Sequence, residues 1–144
     1  MFEGFHGNQA AQETLERMIA SGRIPQTLLI SGPEGVGKAT LARRFAQRLL
    51  DHPERIEADD LSLEANRALI AEREKWTSEK RSEDPLLFSS HPDFTTFCPE
   101  GPLRQISIQQ MRLLRERAQR LPRKGKWKVF RSAEHTSELQ SRQV

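Results

Sequence analysis

The chain predicts an α/β fold built on a parallel sheet, and three observations carry that expectation. An apolar run, Thr27-Leu28-Leu29-Ile30, leads into the glycine-rich stretch 32–40, and a helical apolar period at Leu41, Phe45 and Leu49 follows it. Two more short strand patterns lie at 93–98 and 126–130. Helical patterns separate the three strand patterns, and strands joined through helices pair in parallel.

Each element has its own local signal. Asn8 is placed to cap a first helix whose inner face carries Ala11, Leu15, Met18 and Ile19. Gly22 closes that helix and Pro25 prevents its continuation. Residues 26–31 read as the first buried strand and 38–50 as the next helix, which His52-Pro53 breaks. Residues 58–82 read as one long polar helix with a thin stripe of Leu61, Ala65, Ala68, Leu69 and Trp76. Residues 81–90 read as a loop. The second strand, Asp93–Cys98, is set off by Pro92 and Pro99, and Gly101-Pro102 turns the chain. Ser107 and Gln110 have capping-box spacing, with Ile108, Met111, Leu114, Ala118 and Leu121 on one face after them. Pro122 ends that helix, and Lys126-Trp127-Lys128-Val129-Phe130 alternates into the third strand. There is no internal repeat and no low-complexity tract.

With 144 residues the chain is long enough for one domain, and 35% hydrophobic against 30% charged residues makes its core a modest one. It has no apolar run long enough to span a bilayer and no signal peptide, so a soluble cytoplasmic protein with no membrane partner is expected. The single cysteine, Cys98, excludes an internal disulfide and a cysteine-rich zinc site; a small buried hydrophobe is its expected role. Charge is uneven. Residues 51–84 hold eleven acids and six bases, whereas 104–131 hold ten bases and only Glu116 as an acid. A basic cluster of that kind suits nucleic acid, an acidic partner or a solvated helix face. Trp127 and Phe130 are its only aromatics, which is no stacking platform for single strands.

The sharpest chemistry lies in Gly32-Pro33-Glu34-Gly35-Val36-Gly37-Lys38-Ala39-Thr40. Between a strand and a helix, glycines allow consecutive backbone N–H groups to turn inward around phosphate oxygens, and the helix aims its positive end at the same anion. Lys38 is placed to reach the outer phosphates of a nucleotide. A turn that only packs would not need three glycines and a lysine. Yet Ala39 stands where a Ser or Thr hydroxyl would ligate Mg²⁺. Thr40 is one residue late, about 100° around the helix. Binding of ATP on backbone contacts is expected, with Mg²⁺ weakly held or absent and hydrolysis weak. Two other readings are an active ATPase or phosphotransferase in which Thr40 or water replaces the missing ligand, and a DNA-binding protein acting through 104–131.

Several segments together resemble the delta-prime-type subunits of bacterial DNA polymerase III clamp loaders, which are AAA+ proteins. They are Phe5-His6-Gly7-Asn8, the run from Ser21 to Gly32, His91-Pro92-Asp93-Phe94, Arg104-Gln105-Ile106-Ser107-Ile108, and Gly125-Lys126-Trp127-Lys128-Val129-Phe130. The resemblance covers about residues 1–130. It implies a P-loop domain with a three-layer α/β/α parallel sheet in strand order 5-1-4-3-2, and a helical insert at about 51–90. It also implies a subunit of a hetero-pentameric ring that helps load a sliding clamp, touching primed DNA indirectly. Such subunits are often poor ATPases, which Ala39 suits. Many relatives carry a four-cysteine zinc module after the P-loop helix; residues 51–90 hold no cysteine, so no zinc is expected.

After Phe130 the family continues apolar. Here Arg131-Ser-Ala-Glu-His135-Thr-Ser-Glu-Leu-Gln140-Ser-Arg-Gln-Val144 resembles the conceptual translation of a sequencing adapter, differing from that frame at Ala133. On this reading 131–144 is a non-native tail, and His135, Glu134 and Glu138 carry no function. The chain would then supply only strands 1, 2 and 3 of five. A gap would separate strand 1 from strand 3, with unpaired edges on both sides.

Overall fold

The structure is a computed structural model that describes Phe2 and residues 7–33, 35–101, 105–123, 125–132 and 141–143. Glu34, the Phe5-His6 pair, Pro102, Arg104, Lys124 and the tail residues 133–140 lie outside the described residues. The elements follow in the order α1 (Gln9–Ser21), β1 (Leu28–Ile30), α2 (Lys38–Leu49), α3 (Pro53–Glu57), α4 (Glu64–Glu74), α5 (Ser78–Glu83), β2 (Phe88–His91), β3 (Phe94–Phe97), α6 (Ile108–Ala118), β4 (Val129–Ser132) and β5 (Ser141–Gln143).

The local punctuation is obeyed. The Asn8 side chain accepts a hydrogen bond from the Ala11 N–H at 3.1 Å, and Gly22 adopts φ 72° to close α1. Ser107 and Gln110 form both arms of a capping box: the Gln110 N–H donates to Ser107 Oγ at 3.1 Å and the Ser107 N–H to Gln110 Oε1 at 2.8 Å.

The α/β class holds, but the sheet is mixed. Its order is β1-β5-β4-β3-β2. β3 and β4 pair in parallel, and β5 lies antiparallel to both β1 and β4, so β1, β3 and β4 all run the same way. These are the three strands that the sequence predicts, in the predicted order, with the gap where it was expected. The expectation of three strands and an open gap is corrected: residues 141–143 fill it as β5. Strand edges that leave N–H and C=O groups unmet accept any segment able to hydrogen-bond, and backbone pairing asks little of the side chains. The second correction is β2, expected as loop. Phe88–His91 folds back on β3 as a hairpin, with Phe88 opposite Thr96 and His91 opposite Phe94. The buried His91 fixes the turn. The Asp93 N–H donates to its Nδ1 at 2.9 Å, leaving Nε2 to donate to Asp51 at 2.7 Å.

The long helix expected at 58–82 is instead two short ones, α4 and α5, with the one-turn α3 ahead of them. Asp60 accepts from the N–H and the hydroxyl of Ser62, at 2.9 and 2.7 Å, a local turn that competes with helix. Thr77 starts α5 by accepting from the Lys80 N–H at 3.1 Å. The expected stripe does not pack as a unit: Ala65, Ala68 and Leu69 are exposed, while Leu61 and Ile70 cover Leu86, Phe88 and Cys98. Cys98 is buried, as expected. Burial pushes its thiol up to about 12, with Glu100 acting in the same direction.

The face of α6 is turned around. Ile108, Met111 and Leu121, expected inside, are 66%, 50% and 86% exposed, and the fully buried residue of α6 is Gln110. Its amide donates to the carbonyls of Leu86 at 2.9 Å and Cys98 at 2.8 Å. Among the described residues those two carbonyls accept from no other side chain, and a buried acceptor left unmet costs more than an exposed apolar side chain. The helix therefore presents its amide, rather than its hydrophobic stripe, to the end of the sheet.

A second polar anchor holds the insert. Glu100, 4% exposed at its side chain, accepts from Arg73 Nη2 at 3.2 Å and from the Leu86 N–H at 2.9 Å, with Arg81 Nε at 3.9 Å. Trp76 is sandwiched by Arg73 and Lys80, at 4.1 and 4.2 Å from the ring centre. Among the described residues no group of His, Cys, Asp and Glu is arranged to hold a metal.

Candidate functional site

The glycine-rich stretch does connect a sheet strand to a helix. β1 ends at Ile30, the chain turns through 31–37, and α2 begins at Lys38. Gly37 occupies the cap position at φ 90°, ψ 26°, in the left-handed region where a side chain is strained. No side chain caps this end, and no acid lies in the first turn. The first intrahelical bond runs from the Leu41 N–H to the Gly37 carbonyl at 2.9 Å. The N–H groups ahead of it are the ones that a helix start leaves without intrahelical partners, and together with the dipole they favour an anion. Gly32 is crowded as well: a Cβ there would sit 3.3 Å from Val36 Cγ2.

Lys38 reaches back over the loop and donates from Nζ to the Gly32 carbonyl at 2.7 Å. Its ammonium thus spans the mouth of the turn. Gly32, Pro33, Gly35, Val36, Gly37 and Lys38 lie together between β1 and the first turn of α2; Glu34 lies outside the described residues. Ala39 and Thr40 are half-buried in the first turn of α2. The Thr40 hydroxyl accepts from Arg43 Nη2 at 3.4 Å and so is engaged along the helix. These residues fit a phosphate group: uncapped amides, a positive helix end and a lysine on one short loop. They offer no hydroxyl at position 39 for a metal ion.

Sequence reading missed what lies behind the loop. Arg43 is 5% exposed, with Nη2 at 3.2 Å from Asp60 and Nε at 3.4 Å from Glu57. Burial lowers its proton affinity and Asp60 partly restores it. Arg44 and Gln47 also meet Glu57, which ties α2 to α3. On β4, Arg131 is 2% exposed and pairs in register with Thr96 of β3. Among the described residues its Nε and Nη1 have no hydrogen-bond partner, and neither has the Thr96 hydroxyl. Burial is the main cause that brings Arg131 down to about 10; the nearby Arg43 charge adds to it and Asp60 opposes it. Arg43 lies about 200° around α2 from Leu41, opposite the face that carries Leu41 and Phe45, so the helical period gave no sign of its burial. Its acidic partners, fourteen and more residues away in sequence, gave none either.

The basic stretch 104–131 does not form one surface. Arg112, Arg115, Arg120, Arg123 and Lys126 are exposed, but Arg131 is inside. Lys128 donates back to the carbonyls of Arg117 and Arg120 at the end of α6, and burial lowers its proton affinity.

A family model described as DNA polymerase III, delta subunit, matches residues 7–138. No curated protein and no solved structure gives a significant match. Among the described residues no helix is long and apolar enough to cross a membrane.

Proposed function

Because the chain belongs to the DNA polymerase III delta-subunit family, we propose that it is the nucleotide-binding part of a delta-prime-type clamp-loader subunit, an AAA+ domain that binds ATP without firmly holding Mg²⁺. Its partners in this reading are the other subunits of a hetero-pentameric ring, the sliding clamp and, indirectly, primed DNA, in the cytoplasm. The observation that carries the reading is the loop itself: an uncapped glycine-bounded helix start with Lys38 across it and Ala39 where the metal hydroxyl belongs.

The residues have separate tasks. Backbone N–H groups at the start of α2 hold phosphate oxygens, and the helix dipole adds to that attraction. Lys38 gives up the Gly32 carbonyl and turns its ammonium to the outer phosphates, a charge-assisted bond worth roughly 1.5–3 kcal/mol. With Thr40 engaged by Arg43 and no hydroxyl at position 39, nothing on α2 fixes a metal ion against those phosphates. The domain then acts as a rigid ring member rather than as a motor. No zinc module is needed for the insert, because Glu100 and its arginines do that anchoring. Residues 131–144 are, in the same reading, foreign to the domain; the buried guanidinium of Arg131, without a partner for Nε and Nη1 among the described residues, opens that segment.

A fluorescent ATP analogue titrated into the full chain tests this. Binding is expected with or without Mg²⁺ and without turnover, weakened about tenfold or more by Lys38→Ala. Ala39→Ser is expected to make binding tighten with Mg²⁺. Magnesium-dependent turnover by the wild-type chain would instead favour an active ATPase or phosphotransferase.

A further inference from the structure

The hydrophobic interior is divided. Besides the cluster of Leu86, Phe88 and Cys98, one gathers Ala46, Leu50, Ile56, Phe94 and Val129, and another gathers Phe2, Leu15, Leu41 and Phe45. Leu49 is the residue that packs against the latter two. Beside it an open cleft of about 430 Å³ enters the molecule, floored by Leu28, Phe45, Leu49, Trp127 and Val129. Leu121 stands at its rim, 86% exposed. The cleft is within the size range of sites that hold a ligand or an anchoring side chain. A continuous apolar cleft extended by an exposed leucine is a surface that water leaves readily.

Charge narrows the occupant. Arg120, Lys126 and Lys128 line the cleft, and among the described residues no Asp or Glu does. Two acids act on these cations from outside it: Glu116, an exposed partner of Arg120 at 2.9 Å in a pairing that contributes little in water, and Asp93, whose charge supports the protonated form of Lys128. A nucleic acid would find the cations, but its hydrophilic backbone leaves the aliphatic floor uncovered. Of the three aromatics that line the cleft, Phe45 and Phe130 are buried in the core, which leaves Trp127 for stacking. We infer that this cleft is a docking site for a partner-protein segment that inserts bulky apolar side chains flanked by Asp or Glu. The apolar anchors fill the floor and supply the affinity, while the rim cations select acidic flanks and speed encounter. The site lies outside the glycine-rich loop and does not depend on nucleotide.

Trp127 reports on the cleft directly. In the full chain carrying Trp76→Phe it is the single tryptophan. The probes are a short synthetic peptide of Leu and Phe flanked by Glu, and the same peptide with Lys for Glu. The acidic peptide is expected to give a saturable change in Trp127 emission, weakened by salt. Arg120→Glu with Lys126→Glu is expected to weaken it about tenfold, with circular dichroism unchanged because both residues are exposed. The lysine peptide needs no variant and is expected to give no saturable change. The inference is overturned by equal binding of the lysine peptide or by absence of a saturable change. An oligothymidylate that produces the same change, or self-association of the chain that produces it without peptide, overturns it as well.

Discussion

Replacing Arg131 by methionine asks what a charged residue costs in the middle of this sheet. On β4, in the middle of the sheet, its side chain is 2% exposed, and among the described residues Nε and Nη1 have no partner. Burial brings the group down to about 10, with Arg43 adding to the effect. Each tenfold loss of proton affinity is worth about 1.4 kcal/mol, so the penalty on the charged form is on the order of 3 kcal/mol. The sign follows from linkage. The folded state binds this proton less tightly than the unfolded chain does. The penalty is therefore present at every pH below about 10 and is relieved only as pH rises through that value. Methionine keeps most of the volume, removes the charge and leaves no polar atom to satisfy. A gain of about 2–4 kcal/mol at neutral pH is expected, in line with the replacement of other buried ions by apolar groups. In a chain of this length that is a rise in melting temperature of roughly 6–12 °C. Urea unfolding followed by circular dichroism measures it, with the slope of the transition checked for constancy. Arg131→Lys serves as the control that retains a buried charge and should gain little. A methionine variant no more stable than wild type would show that the guanidinium has found partners, and the reasoning would fail.

Other consequences follow from the polar anchors. Glu100→Gln leaves Arg73 with only the exposed Asp84, 3.6 Å from Nη1, as a counter-charge among the described residues, and a loss of about 3 kcal/mol is expected from the urea midpoint; a loss under about 1 kcal/mol would deny the anchor its role. Gln110→Leu strands the Leu86 and Cys98 carbonyls and removes half of the capping box. It should cost about 2–4 kcal/mol even though it adds an apolar side chain to the interior, and thermal denaturation decides. Cys98, with its thiol pushed up to about 12, should resist a thiol-specific disulfide reagent while folded and react promptly in denaturant; fast labelling of the native chain would contradict its burial.

The places where sequence reading succeeded share a short range. Asn8 and Gly22 bracket α1, Ser107 and Gln110 start α6, and the loop from Gly32 to Lys38 joins β1 to α2; each needs only residues three to six positions apart. The parallel sense of β1, β4 and β3 was open to inference from strands joined through helices, whereas their order came from the resemblance to AAA+ sheets. What failed depended on partners far along the chain. The inner face of α6 was misjudged because carbonyls at 86 and 98 outbid Ile108 and Met111 for contact with that helix. No periodicity shows that Arg43 meets Asp60, that Glu100 collects Arg73 and Arg81, or that β5 lies between β1 and β4.

The amino-acid order alone determined which groups the loop offers, since the glycines, the lysine and the missing hydroxyl at Ala39 lie within a few residues of one another. Tertiary structure alone decided which charges are buried and which apolar residues remain outside. Burial is a property of the neighbours that arrive from elsewhere in the chain, and desolvation sets its cost only once they have arrived.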